Sequence, residues 1–311
     1  MSEPLAFQNG RFLPASQAAV PLYDAGFVLG ATVAEQVRTF RGQLFRLEEH
    51  LQRLADSLRI VGVDPGWTQE ALAEIARELV AHNHALLDPD DDLGISILVT
   101  PGPYPTMAQL ARAAGAMQPL VCLHTYPLPF HLWAHTYSQG QALVVSNVRQ
   151  VPRSCWPTNL KCRSRMHYYL ADLEARRVNP RARALLLDQE GWVLETSTAS
   201  IALVDREEGV IAPPAEKILP GISVGVIAEL SARAGLPFVH RDLSVEEVRQ
   251  ADEVILCSTS PCVWPVTELN GTAVGRIGSN TWSARFLAAW SDQVGVDIAD
   301  QAARFANRIG A

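Results

Sequence analysis

A chain of 311 residues, 48% hydrophobic and 19% charged, is soluble and folded by composition and long enough to bury a core in each of two ordinary domains. A net charge of −7 without any Lys/Arg-rich run argues against a nucleic-acid groove or an anionic membrane surface as the main partner, and no apolar run approaches the roughly 20 residues of a membrane span. Five cysteines without CxxC spacing, and an amino terminus with no basic stretch leading into an apolar one, point to the reducing cytoplasm and to no structural disulfides.

From Gly10 to Pro21 the chain reads as a short strand and turn, and the alternation of Val33, Glu35, Val37 and Thr39 predicts a strand over Ala31 to Phe40. The period then changes. Leu47, Leu51, Leu54 and Leu58 recur at three and four, so Glu48 to Ile60 is an amphipathic helix on which His50 and Arg53 share a face beside the apolar stripe. Arg53 there is open to two readings, a surface ion pair or a phosphate clamp. A second helix is predicted from Thr68 to Asn83, with strands at Leu93 to Thr100 and Leu120 to Thr125 and a helical piece at Met107 to Ala116 between them. The acidic turn Asp88 to Asp92 lacks the ligand pattern of a calcium loop. Prolines and aromatics break all periodicity over 127–139, which is read as the connection between a domain 1–126 and a domain 140–311. His131 and His135 lie four apart, but Leu132 stands where a metalloprotease helix needs its general-base Glu, so no metal site is assigned.

The second half opens with a strand from Ala142 to Val148 and a loop that ends at Lys161, followed by a helix from Arg165 to Arg177. Strands at Ala184 to Leu187 and Trp192 to Val204 are joined at Gln189-Glu190-Gly191, and the second carries Glu195, a carboxylate that needs a partner inside an apolar sheet. After Pro220-Gly221-Ile222-Ser223 a helix runs to Ala234; its first amides and the Ser223 hydroxyl form either an ordinary N-cap or an anion site. Ser244 and Glu247 make a capping box, a strand from Glu253 to Ser258 delivers Thr259 and Ser260, and Asn270-Gly271 is a hairpin turn. The last clear helix is Trp282 to Trp290.

Gly221-Ile222-Ser223-Val224-Gly225 fits the hydrolase G-x-S-x-G pattern, but prolines stand upstream where its strand should be, and only His240 follows as a triad histidine. No GxGxxG dinucleotide fingerprint is present. More telling, only two of the 26 basic residues are lysines, Lys161 and Lys217. Where arginine carries the surface charge, a lysine is open to work that only an amine can do, such as a Schiff base with a carbonyl; read alone, Lys161 also suits an ordinary solvated lysine.

Taken together, ordered blocks resemble the fold-type IV pyridoxal phosphate enzymes, or class IV aminotransferases, a family that includes branched-chain aminotransferase, D-amino acid transaminase and aminodeoxychorismate lyase. The blocks are Asp24-Ala25-Gly26 to Gly30, Glu35 with Arg38, Phe45 to Leu54, Lys161, Leu194-Glu195-Thr196-Ser197, Leu219 to Ser223, and Thr259 six residues before Pro265. The resemblance implies an α+β (mixed α/β) fold with a small N-terminal α/β domain and a larger C-terminal cofactor domain, pyridoxal 5′-phosphate as cofactor, and a homodimer. It implies that Lys161 bonds the cofactor aldehyde, is displaced by substrate amine and then shuttles a proton between substrate Cα and the cofactor; that Glu195 keeps the pyridine nitrogen protonated; and that Arg53, the Ile222 and Ser223 amides with the Ser223 hydroxyl, and Thr259 grip the phosphate. The implied reaction moves an amino group between an amino acid and a 2-oxo acid by a ping-pong mechanism.

Glu35, Arg38 and Ser260 are the candidates on the substrate side, where the chain departs from familiar subgroups. Ala34 and Leu29 stand where aromatics are usual, and Thr100-Pro101-Gly102 lacks the carboxylate-binding arginine of D-amino acid transaminases. Arg38 is open to a substrate carboxylate or to pairing with Glu35. A lyase of the aminodeoxychorismate type, using the same Lys161 and Glu195, and a cofactor-binding paralogue without turnover stand as the alternatives.

Overall fold

The computed structural model of the protein describes residues 3–308, so the expected domain limits at 1 and 311 lie outside the described residues. The chain divides into two compact units. The first runs to Leu128 and takes in Leu160–Ser164; the second holds Pro129–Asn159 and the chain from Arg165 onward. The division falls inside the stretch 127–139.

In the first unit the strands are β1 (Leu5–Gln8), β2 (Arg11–Pro14), β3 (Val33–Phe40), β4 (Gln43–Leu44), β5 (Leu93–Thr100) and β6 (Leu120–Pro127), ordered β2-β1-β6-β5-β3-β4 in one sheet. The helices are α1 (Ala25–Val28), α2 (Leu47–Val61), α3 (Gln69–His84) and α4 (Ala108–Ala113). The apolar stripe of α2, Leu47, Leu51, Leu54 and Leu58, packs with Leu72, Ala76 and Leu79 of α3 against Val33, Val37, Ile95, Ile97 and Leu123 of the sheet. Each such leucine withdrawn from water contributes about 2 kcal/mol. Because strand side chains alternate, the other face of the sheet carries Gln36, Ser96 and His124 in one register row. At the edge of β3 the segment Leu160–Ser164 adds a short antiparallel pairing centred on Val33 and Cys162: Ala34 N donates to Lys161 O at 3.1 Å and Arg163 N to Thr32 O at 2.8 Å.

The second unit has strands β7 (Gln141–Val145), β8 (Arg183–Leu187), β9 (Val193–Thr196), β10 (Ser200–Asp205), β11 (Gly209–Ala212), β12 (Phe238–His240), β13 (Glu253–Ser258), β14 (Cys262–Leu269) and β15 (Thr272–Ala273). They run β12-β11-β10-β13-β14-β7-β8-β9 with β15 on β14, and a further pairing of β9 with β10 closes the path upon itself. Helices α5 (Thr136–Gln139), α6 (Met166–Val178), α7 (Ile222–Arg233), α8 (Val245–Gln250), α9 (Trp282–Val294) and α10 (Ile298–Phe305) accompany it.

Two sequence expectations need correction, and one pair of strands went unforeseen. The strand predicted over Trp192 to Val204 is two strands, β9 and β10, separated by a tight turn in which Thr196 donates from both its backbone N and its hydroxyl to Ala199 O, at 2.9 and 3.0 Å. Short hydroxylated residues supply this turn without glycine or proline. The last helix, predicted to end at Trp290, continues to Val294 and is followed by α10, capped by Asp297. The short strands β11 and β12, parallel to one another, were not predicted at all.

Candidate active site

Lys161 is buried at the β3 edge, at 9% exposure. Its backbone N donates to Ser57 Oγ of α2 at 3.1 Å and its Nζ to the Ala34 carbonyl at 3.0 Å. Beside it Glu35, fully buried on β3, takes two hydrogen bonds from Arg53, Nε to Oε1 at 2.7 Å and Nη2 to Oε2 at 2.9 Å. His50 Nδ1 lies 2.8 Å from Glu35 Oε2. The spacing of α2 delivers both His50 and Arg53 from its buried face onto this one carboxylate.

Burial by itself would raise the Glu35 carboxyl, but the Lys161 charge, the His50 hydrogen bond and Arg53 together outweigh it and hold the group well below the usual carboxylate range. Burial also holds His50 below its ordinary value, although Glu35 opposes the shift, so the imidazole is neutral. An ionised carboxylate only accepts, so Nδ1 carries the proton and donates. Arg38 projects from the opposite face of β3 to Glu35 and places its guanidinium 4.3 Å from the Phe40 ring centroid, fully buried.

In the second unit Glu195 of β9 meets α6. A bulge in the β8–β9 ladder pairs Val193 with Leu187 but Glu195 with Leu186, whose side chain packs with Ala171 and Ala175. Without that extra residue Glu195 would share the face of Val193; with it, the carboxylate turns toward Tyr168 of α6. Tyr168 Oη and Gln150 Nε2 both donate to Glu195 Oε1, and Gln150 Nε2 also reaches Tyr168 Oη at 3.0 Å. Burial raises the Glu195 pKa against the opposing pull of the Tyr168 hydrogen bond, the Arg165 charge and the Gln150 hydrogen bond. The Tyr168 phenol is itself pushed well above its ordinary value, first by burial and then by Glu195, so it remains a donor.

Ser200 is the hub between Glu195 and the other second-unit candidates. It pairs with Glu195 across the β9–β10 turn and with Cys257 of β13, and a Cβ built on Gly221 would sit 3.0 Å from Ser200 Oγ. Gly221 precedes α7 and has no side chain to cap the first-turn amides, so Ile222 and the buried Ser223 open the helix beside this hub. Thr259 and Ser260 occupy the β13–β14 turn, anchored where Ser258 Oγ donates to Thr198 O at 2.9 Å. Lys217, by contrast, is a structural cation: Nζ lies 3.2 Å from Asp188 Oδ2 and 2.7 Å from Asp242 Oδ1.

Sequence reasoning missed Gln150 and Tyr168. Tyr168 lies three and seven residues before Ala171 and Ala175, the buried positions of α6, and that period was available to find it. Gln150 sits in an irregular loop and carries no such signal. Among the described residues no group of three or more His, Cys, Asp and Glu side chains could hold a metal ion, and no helix is long and apolar enough to cross a membrane.

Residues 32–269 match the family described as amino-transferase class IV. A putative branched-chain-amino-acid aminotransferase of Methanocaldococcus jannaschii is 27% identical over 272 residues, 87% of this chain and 89% of that protein. A D-alanine aminotransferase of Staphylococcus epidermidis is 29% identical over 282 residues, 88% of this chain and 93% of that one. Among solved structures, a branched-chain amino acid aminotransferase of Escherichia coli superposes with a TM-score of 0.82 at 25% identity, over 94% of both chains. Another branched-chain amino acid aminotransferase, from T.th. and solved with pyridoxamine 5′-phosphate, shares the fold with a TM-score of 0.81 at 22% identity, over 94% of this chain and 95% of that one. The extent of the family match, most of both units, makes this chain a member of the class IV aminotransferases, with the mixed α/β fold of its branched-chain relatives and the transaminase chemistry of the class.

Proposed function

We propose that the protein transfers an amino group between an amino acid, of branched-chain or D-amino acid type, and a 2-oxo acid, by a ping-pong mechanism, as a homodimer in the cytoplasm. Class IV aminotransferases use pyridoxal phosphate. The observation that carries the reading for this chain is Glu195, a buried carboxylate whose two hydrogen-bond partners, Tyr168 and Gln150, are neutral. A protonated pyridine nitrogen would give that carboxylate a charged hydrogen-bond partner in addition to the Arg165 charge, and the start of α7, where Gly221 offers no side-chain cap, suits a phosphate.

When bound, the cofactor supplies an aldehyde that links to amines and a ring that draws electrons from substrate Cα. Lys161 is the amine for that aldehyde. Once substrate amine has displaced it, its Nζ, oriented by the Ala34 carbonyl, would accept the proton from substrate Cα and return it one atom further along. Glu195 would accept a hydrogen bond from the protonated ring nitrogen, with Tyr168 and Gln150 fixing the carboxylate. Arg53, the Ile222 and Ser223 amides, the Ser223 hydroxyl and Thr259 would hold the phosphate.

The test is the visible absorption of purified protein with added pyridoxal phosphate, before and after borohydride, with peptide mapping. A band fixed onto Lys161 and bleached by L- or D-amino acids until a 2-oxo acid is added supports the reading. Pyruvate released without any acceptor would move the activity to a lyase, and no band at all would end the enzyme reading.

A further inference from the structure

In the first unit the sheet face turned away from α2 and α3 carries the group the substrate side lacked in sequence. Lys161 and Arg163 are two residues apart in an extended segment, so their side chains leave it on the same side, about 6–7 Å apart along the chain. The pairing of Val33 with Cys162 assigns that side: Cys162 shares the helix-facing side of Val33, while Lys161 and Arg163 share the side of Thr32, Ala34 and Gln36. The Arg163 side chain then spans β3. Its backbone is bonded to Thr32 at one edge of the strand, and its Nη2 donates to Ser96 Oγ of β5, beyond the other edge, at 3.2 Å. Ser96 is level with Gln36, so the side chain crosses the strand at Ala34. A residue larger than alanine would fill that lane.

Three further observations say what the guanidinium meets. Ser96 is paired with His124, whose imidazole is held below its ordinary value by burial and then by the Arg163 charge, so the neighbour is a neutral polar ring. Gln36 Nε2 donates to Tyr126 Oη at 3.3 Å, adding a second neutral polar pair on the same face. Arg38, the other arginine there, is fully enclosed over Phe40, whereas Arg163 is partly exposed.

We infer that Arg163 is the carboxylate-binding residue of this enzyme, presenting its guanidinium to the acid group of an amino acid or 2-oxo acid, with Ser96 as its positioning residue. The inference rests on the transaminase reading for the identity of the substrate. A guanidinium matches a carboxylate in two parallel hydrogen bonds, and its station two residues from the reacting amine sets it within one small substrate of Lys161.

The experiment titrates the wild-type holoenzyme, R163Q and R163K calorimetrically with 4-methylvalerate and glutarate, two inert carboxylates, and measures KM and kcat for a 2-oxo acid acceptor. R163Q is expected to weaken carboxylate binding about 10- to 100-fold and to raise KM by a similar factor with a smaller change in kcat, and R163K to recover part of the loss. A loss confined to glutarate assigns Arg163 to a second carboxylate of the substrate; a loss for both assigns it to the carboxylate beside the reacting carbon. Equal affinities in R163Q and wild type, no saturable binding of either acid to wild type, or a fall in kcat at unchanged KM would overturn the assignment. Carboxylate binding that depends on Arg163 in a protein without amino transfer would overturn the transaminase reading alone.

Discussion

Tyr168 donates its phenolic hydrogen bond to Glu195 Oε1 inside the second unit, and this contact works against the burial that drives the carboxyl toward its neutral form. Removing the donor in Tyr168→Phe raises the Glu195 pKa further, because the ionised form loses stabilisation. The acid limb of the kcat/KM profile should move to higher pH by about one unit. An unmoved limb with normal folding would separate Tyr168 from the ionisation of Glu195.

Glu195→Gln should stabilise the protein without cofactor while costing activity. The folded pKa lies above the ordinary value of 4.5, so the stability linked to this proton is fully present below about pH 4.5 and is lost as pH rises through the raised value. At pH 7 burial penalises the charge that glutamine removes, so the variant should unfold at a higher urea concentration than wild type. The gain should vanish toward pH 4. In turnover the same variant should lose about 100-fold or more.

Glu35→Gln has the opposite sign. It leaves Arg53 buried without its carboxylate and should cost about 3 kcal/mol or more at pH 7. The depressed pKa of Glu35 means that its stability is present above the ordinary 4.5 and is lost as pH falls toward the folded value. Acid unfolding should therefore be shallower in the variant than in wild type, as followed by circular dichroism from pH 6 to pH 2.

Gly221 tests the approach of α7 to Ser200. Its backbone has φ −73°, open to any residue, but an added Cβ would lie 3.0 Å from Ser200 Oγ and 3.2 Å from Val224 Cγ2. Gly221→Ala is expected to cost about 1–2 kcal/mol and to weaken binding of the cofactor phosphate. Ser200→Ala in the same chain should return part of both losses. Additive losses in the double variant would show that Ser200 is not the obstacle.

Lys161→Ala removes the amine and keeps the phosphate site. Turnover should fall by about 1,000-fold or more, while affinity for pyridoxamine phosphate, which needs no lysine bond, changes little. Turnover at the wild-type rate would place the reacting amine elsewhere.

Much of the scaffold was legible because it follows local periods. The stripe of Leu47, Leu51, Leu54 and Leu58 announced α2 and put His50 and Arg53 on one face, and β5 and β13 have the limits expected from their apolar runs. Legibility failed where structure depends on partners far along the chain. The β9–β10 turn is built from Thr196 and Ala199 with no glycine or proline to mark it, and the bulge that turns Glu195 toward α6 leaves no trace in composition. The neighbours of Glu195 lie 27 and 45 residues away, so ordered blocks of sequence could nominate the carboxylate but not the side chains that govern its charge. Arg163 was in view beside Lys161 from the start. What was missing was the register of a five-residue segment against β3, which decides the face that the arginine takes.

That segment also sets a timetable for biogenesis. Lys161 Nζ reaches a carbonyl 127 residues earlier in the chain, and Leu160–Ser164 belongs to a unit whose preceding stretch ends at Leu128. At ribosomal speeds the interval between translation of Ala34 and of Lys161 is about 6–25 s. The nascent first unit therefore waits with the start of β3, around Val33, not yet covered along the edge that β4 pairs only at Thr39 and Phe40, and an exposed strand edge is a site for errant pairing. A truncated chain ending at Leu128 would keep that vulnerable edge permanently and would never hold the amine. The segment that carries the proposed reacting amine thus also covers the start of β3, which ties the completion of this unit's fold to its acquisition of that amine.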